Sequence, residues 1–290
     1  MCALEQERDE TGGVAPRAWA PLAAVVLLLI VAATSATAGD EIQPDRPEVT
    51  ESARLLPRGA AQLETGLLYS GQRAAGLPTE KVFGIEADLR IGVARDLEVN
   101  VGGEPLVRVR GPQDDTGFGD VTLGVRYRFL EAAEDETWPP NLAVKPFVKL
   151  PVASEPIGTG RPDFGALLLA SFALPWDMEL EVNAGGAAIG QVDSGEYRAQ
   201  AIASASLSRD IVEGLNAFLE LFYSSRQQRD QGQQLAVNVG LIYRITSTFA
   251  ADAGVQTSLF GGGPDYMMRT GLSVLFGRPG TRGPARASIQ

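Results

Sequence analysis

Phe83-Gly84-Ile85-Glu86-Ala87-Asp88-Leu89-Arg90-Ile91 alternates apolar with polar or small residues at every step. Successive side chains of a β-strand point to opposite faces, so this stretch builds a strand with one greasy face and one charged face. The pattern recurs along the chain. Ala199, Ala201, Ala203, Ala205 and Leu207 alternate with Gln200, Ser204 and Ser206, and Val239 and Tyr243 alternate with Asn238 and Arg244. Followed outward from Phe83, it predicts strands at 60–71, 81–93, 96–104, 118–129, 141–151, 163–174, 177–189, 198–208, 215–225, 234–245, 249–258 and 266–276. Most reach the roughly 9–11 residues a tilted membrane strand needs, and the count is even, as in single-chain bacterial barrels.

Connector lengths orient this set. Short turns follow the even strands at Ala94-Arg95, Pro175-Trp176, Asp210–Gly214 and Thr246–Thr248. Connectors after odd strands are mostly longer, at 72–80, 105–117, 152–162, 190–197, 226–233 and 259–265; the long stretch Leu130–Pro140 breaks the rule. Transmembrane barrels have short periplasmic turns and longer outer loops, which puts both ends of the barrel in the periplasm. A barrel this wide would need bulky apolar residues to fill a dry interior, whereas its apolar face is often Ala, Val or Leu. Lipid outside and water inside is the consistent assignment. Aromatics fall at the strand ends: Tyr69, Phe83, Phe164, Tyr223 and Tyr266 at the outer end, and Tyr127, Phe129, Trp176, Tyr243, Phe249 and Phe276 at the periplasmic end. Phe147 and Phe218 fall on the inward face.

The fold class read from this is all-β: a transmembrane antiparallel barrel of about twelve strands behind a signal peptide. Residues 1–38 carry Arg17, an apolar run from Ala18 to Ala33, and the small-residue site Ala36-Thr37-Ala38. The acidic stretch before Arg17 is unusual for a leader and points to a start near Val14. Residues 39–59, polar with Pro44, Pro47 and Pro57, read as a lead-in, either periplasmic or folded into the lumen. The barrel spans 60–276, and 277–290 read as a basic disordered tail.

Composition excludes several functions. The single cysteine is Cys2, so the mature chain has no disulfide. There is no histidine, which removes Ser-His-Asp machinery, imidazole metal sites and histidine pH switching. Formal net charge is −11, and the leader takes away four acids and two bases, leaving −9. Such a chain is a poor nucleic-acid binder. Asp114-Asp115-Thr116-Gly117-Phe118-Gly119-Asp120 offers calcium-type oxygens without the loop spacing a calcium site uses, and reads as a solvated hairpin. No catalytic group, cofactor or metal is expected. The candidate functional residues are those lining the lumen: Glu64, Glu86, Asp88, Arg90, Glu98, Arg126, Arg128, Lys145, Glu181, Glu220, Arg244, Asp252 and Arg269. Paired across strands they stabilise a closed wall around a narrow passage; as unpaired rings they set pore selectivity.

Asp45-Arg46-Pro47-Glu48-Val49-Thr50-Glu51-Ser52, Gln62-Leu63-Glu64-Thr65-Gly66, the run Gly117–Arg128 and the closing Pro264-Asp265-Tyr266 resemble the outer-membrane barrel family named for phenol meta-pathway degradation. The resemblance covers most of the mature chain. It implies a β-barrel and uptake of small compounds, aromatic ones among them, and no catalytic positions. The expected function is therefore an outer-membrane channel or transporter passing small solutes by diffusion through a charged lumen. Its expected partners are outer-membrane lipid, the barrel-assembly machinery and those solutes. The alternatives are a non-conducting structural or envelope-sensing barrel, and a soluble periplasmic β-protein. Within this reading Val125 meets lipid and Arg126 faces the lumen, so Arg126→Val is expected to disturb folding less than Val125→Arg.

Overall fold

The computed structural model describes residues 41–277 apart from 74–75, 113, 134–136, 154, 156, 193 and 226–231. The expected leader and residues 278–290 of the expected tail lie outside the described residues. Thirteen strand segments form one sheet. They are β1 (Ala61–Gln72), β2 (Glu80–Ala94), β3 (Leu97–Arg110), β4 (Asp115–Gly117), β5 (Val121–Leu130), β6 (Asn141–Leu150), β7 (Asp163–Leu174), β8 (Met178–Gly190), β9 (Tyr197–Val212), β10 (Leu215–Ser224), β11 (Gln234–Thr246), β12 (Phe249–Gly261) and β13 (Tyr266–Phe276). All neighbours are antiparallel. β1 pairs with β13 from Ala61↔Phe276 to Gly71↔Tyr266, so the sheet closes on itself without free edges. β4 is a short outer piece on β3, and the other twelve segments form the closed wall.

The wall is inverted relative to a soluble protein. Outward positions such as Leu67, Val125, Tyr127, Leu168, Leu219, Leu221, Val239 and Leu272 are exposed, whereas inward Arg90, Glu98, Arg126 and Glu220 are each 1% exposed or less. A continuous exposed apolar belt of this size calls for lipid. Tyr69, Phe83 and Phe164 stand exposed at one end, and Tyr127, Phe129, Trp176 and Tyr243 at the other. Apolar belt, aromatic ends and closed barrel place the protein in the outer membrane.

Four strands depart from the sequence-derived bounds: β9 and β12 run on to Val212 and Gly261, and β3 and β5 differ for reasons their neighbours show. β3 runs to Arg110 rather than 104. Proline donates no ladder hydrogen bond, so Pro105 reads as a strand end. Here Glu104 and Pro105 together face Glu86, between the pairs Ile85↔Leu106 and Ala87↔Gly103, which makes a bulge and lets the strand continue. The expected fourth strand, 118–129, begins only at Val121 as β5, and the short β4 forms within the expected connector, the two separated by Phe118-Gly119-Asp120. There the backbone closes onto β3, with Gly119 N donating to Glu104 O at 2.8 Å.

Phe147 and Phe218 are inside. Each ring lies over a glycine paired directly across the ladder, Phe147 over Gly165 and Phe218 over Gly240. An aromatic covering a cross-strand glycine shields backbone that the glycine leaves bare. Phe218 also joins Ile42, Leu56, Ala60, Ile242, Ala250 and Leu275 in a buried apolar cluster at the periplasmic end. That cluster ties the chain entering β1 to the wall.

Candidate functional site: a lumen crossed by the N-terminal segment

Residues 41–60 lie inside the barrel. Ile42 N donates to Ser247 O in the β11–β12 turn at 2.8 Å, anchoring the entry at the periplasmic end. The chain then crosses the lumen and returns past Leu56 to β1. The segment carries no regular secondary structure, so its backbone N–H groups need partners from the wall. Three wall carboxylates supply many of them. Glu64 accepts from Asp45 N at 3.1 Å and Arg46 N at 3.0 Å. Glu220 accepts from Val49 N at 2.9 Å, Thr50 N at 2.5 Å and Thr50 Oγ1 at 2.6 Å. Glu98 accepts from Leu56 N at 2.9 Å.

The segment's side chains reach the rest of the wall. Arg126 pairs with Asp45 at 2.8 Å and Glu51 at 2.6 Å, and Lys145 pairs with Glu51 at 2.6 Å. Arg90 pairs with Glu98 at 2.9 Å, Asp45 at 3.2 Å and Glu64 at 3.3 Å. Arg46 pairs with Glu86 at 2.5 Å and lies 3.7 Å from Asp252. Ala53 N donates to Ser171 Oγ at 2.9 Å, and Glu51 N to Asn183 Oδ1 at 2.7 Å. Arg54 meets Glu179, and Ser206 donates to Glu48. Asn238 Nδ2 and Arg269 Nη1 donate to Pro47 O at 3.3 and 3.5 Å. Every one of the twelve wall strands thus makes a hydrogen bond or ion pair to this one segment. Gly92 leaves the room it needs: a Cβ there would come within 2.2 Å of Pro57 O.

The sequence-derived residues divide into groups. Glu64, Glu86, Arg90, Glu98, Arg126, Lys145, Glu220, Asp252 and Arg269 converge on the segment, as cited above. Arg244 pairs with Glu41 at 2.9 Å and with Asp210 near the periplasmic turns. Arg128 pairs with Asp96 and Glu131, both at 2.9 Å, and stays apart from the segment. Among the described residues Asp88 and Glu181 make no ion pair; Glu181 accepts only a long bond from Ser171, 3.4 Å. Asp114 and Asp120 turn to different partners, Arg110 at 2.8 Å and Lys149 at 3.0 Å. Among the described residues no three acidic, His or Cys side chains gather as metal ligands. The sequence reading missed the segment's own contacts and the wall residues Ser171 and Ser206; it placed Glu179, Asn183 and Asn238 on the inward face without counting them among the candidates.

Charge on the segment is uneven. Burial pushes the Asp45 carboxyl up, but the Arg126 and Arg90 guanidiniums outweigh it and hold the group at about 2. Burial likewise raises Glu51, and Lys145 and Arg126 bring it below its ordinary value. Glu48 has no such cation. Burial, reinforced by Glu181, pushes it well above the usual carboxylate range.

A family model described as "Putative MetA-pathway of phenol degradation" matches residues 44–276, taking in most of the lumen segment and the whole barrel. The chain belongs to this family. In this member of the phenol-degradation family the match starts at Pro44, two residues after the Ile42 anchor. Its fold is similar to that of a COG4313 outer membrane channel from Pseudomonas putida F1, at a TM-score of 0.61 and 12% identity over 81% of this chain and 100% of that one. It is also similar to the NanC porin, at a TM-score of 0.50 and 11% identity over 74% of this chain and 98% of that one. At such identities the likeness is one of fold. None of the curated proteins matches the chain.

Proposed function

We propose that this barrel is an outer-membrane channel for small solutes whose lumen is closed by residues 41–60 and opens when that segment shifts. The supporting observation is chemical. The segment is seated mainly by polar contacts to the wall, and its bonds to itself are isolated turns such as Ala60 N to Pro57 O at 3.0 Å and Ser52 N to Asp45 Oδ1 at 3.2 Å. Ion pairs and carboxylate–amide bonds can be exchanged for water, which a packed apolar plug could not do. Both ends of the segment are held by the periplasmic apolar cluster, so the middle can move while the protein stays anchored. The fold of the Pseudomonas putida channel and the phenol pathway in the family description favour small solutes, aromatic compounds among them. Passage is by diffusion. When ionised, the acids without ion pairs, Asp88 and Glu181, give the wall a preference for cations and neutral molecules over anions.

The test is planar-bilayer conductance of the refolded protein with and without residues 41–56. Low conductance in the wild type and a large stable conductance in the deletion, selective for cations, is the expected result. A deletion that refolds into a heat-resistant barrel and still passes no current would favour the non-conducting structural reading, which the filled lumen makes the serious rival. Gly92→Val serves as a full-length companion, because its side chain collides with the segment's backbone while every ion-pairing residue is kept.

A further inference from the structure

We infer that the outer rim over β2 and β3 binds the phosphates of an anionic glycolipid of the outer leaflet. The bulge at Glu104–Pro105 resets the alternation of β3. Before it Glu98 and Asn100 are buried; after it Val107 and Val109 are buried, which turns Arg108 and Arg110 outward and exposed. The register then sets Arg110 directly opposite Lys81, and Arg108 opposite Phe83. Like charges directly opposite in a sheet repel, so Lys81 against Arg110 is a costly pair if nothing anionic sits with it. Asp114 answers one of the three cations, meeting Arg110 at 2.8 Å. Among the described residues Lys81 and Arg108 make no ion pair. They and Arg110 are the outward-facing charged strand residues at this rim, all basic, in a chain of formal net charge −11.

Position selects the source of the anion. Phe83, and Tyr69 packed 6.1 Å from Tyr266, stand exposed level with Arg108 and just below Lys81 and Arg110. Interfacial aromatics mark the level where acyl chains give way to head groups. The cations above them therefore stand where the phosphorylated sugars of the outer leaflet lie. Arginine and lysine bind phosphate through short charge-assisted hydrogen bonds, and one phosphate between Lys81 and Arg110 turns their repulsion into a bridge. A lipid offers both parts at once, phosphate to the cations and chains to the rings.

The test uses the purified full chain in detergent micelles, mixed with diphosphorylated lipid A or with the same lipid stripped of both phosphates. Retained lipid is read by native mass spectrometry. The wild type should hold the phosphorylated form, and Lys81→Gln with Arg110→Gln should weaken retention by at least about tenfold. Arg209→Gln, exposed at the opposite rim, should match the wild type. Heat-dependent gel mobility checks that each variant is a folded barrel. Equal retention by wild type and double variant overturns the inference, as does equal retention of the dephosphorylated lipid. Loss of the lipid from the wild type on adding millimolar inorganic phosphate overturns it too, in favour of a site for the free anion.

Discussion

Arg126 shows how much one inward residue can carry. It is 1% exposed and meets Asp45, Glu51 and, at 3.6 Å, Glu98. Removing one partner of a buried pair costs about 3–5 kcal/mol where the other charge is left uncompensated, and here Arg90 still faces Asp45 and Glu98 while Lys145 still faces Glu51. Arginine placed on the lipid face at the bilayer midplane costs about 2–4 kcal/mol. The geometry narrows the expected gap between the two changes: Arg126→Val should destabilise by an amount comparable to Val125→Arg, read as a shift in the urea midpoint of refolding into vesicles. Glu48 makes a second prediction. Its carboxyl is raised in the folded protein, so the stability it gives the seated segment is full below its ordinary value of 4.5 and is lost as pH rises through the raised value. Asp45 and Glu51 are lowered, so their stability is lost only as pH falls below the ordinary range. Open probability should therefore increase as pH rises above the ordinary carboxylate range, and Glu48→Gln should flatten that dependence. An unchanged slope in Glu48→Gln would remove Glu48 from the gate.

At the level of elements, strands were legible and the lumen segment was not. A strand such as β2, Glu80–Ala94, declares itself because the period of two is local, Phe83, Ile85, Leu89 and Ile91 alternating with Glu86, Asp88 and Arg90. β3 misled because a proline normally ends a strand, and only a partner strand can show that it sits in a bulge. Residues 41–60 have no period at all. Their contacts join Thr50 to Glu220 and Pro47 to Arg269, far apart in sequence, and nothing local records such pairings. The sequence left open whether this stretch stood in the periplasm or in the lumen for that reason. The Asp45–Ser52 motif marked the stretch as unusual without saying what it touched. Gly92→Val tests the element directly: displaced by the new side chain, residues 41–56 should become cleavable by added protease in detergent while the barrel bands stay intact. Protection equal to the wild type would mean the segment can move aside without leaving the lumen.

For the whole molecule, charge balance in the lumen can be tested residue by residue. Glu98 and Glu181 look equivalent in sequence, both acidic on inward positions. The structure separates them, because Glu98 is bound by Arg90, Arg126 and Leu56 N whereas Glu181 faces no cation within ion-pair distance among the described residues. Glu181→Gln should lower cation preference in reversal-potential measurements made at alkaline pH, where the carboxyl is ionised, an effect shrinking at high salt. Glu98→Gln should instead raise open probability, by releasing the segment. Identical phenotypes would argue against this division. The segment that touches all twelve strands also bears on assembly. It leaves the ribosome before any strand exists, while its last partners, Asp252 and Arg269, come near the end of the chain. A wall with one hairpin fewer would have no room for it, and one hairpin more would leave its carboxylates and amides out of reach of their partners. The N-terminal segment is therefore a gauge of circumference, a template around which only a barrel of the right girth can close its seam.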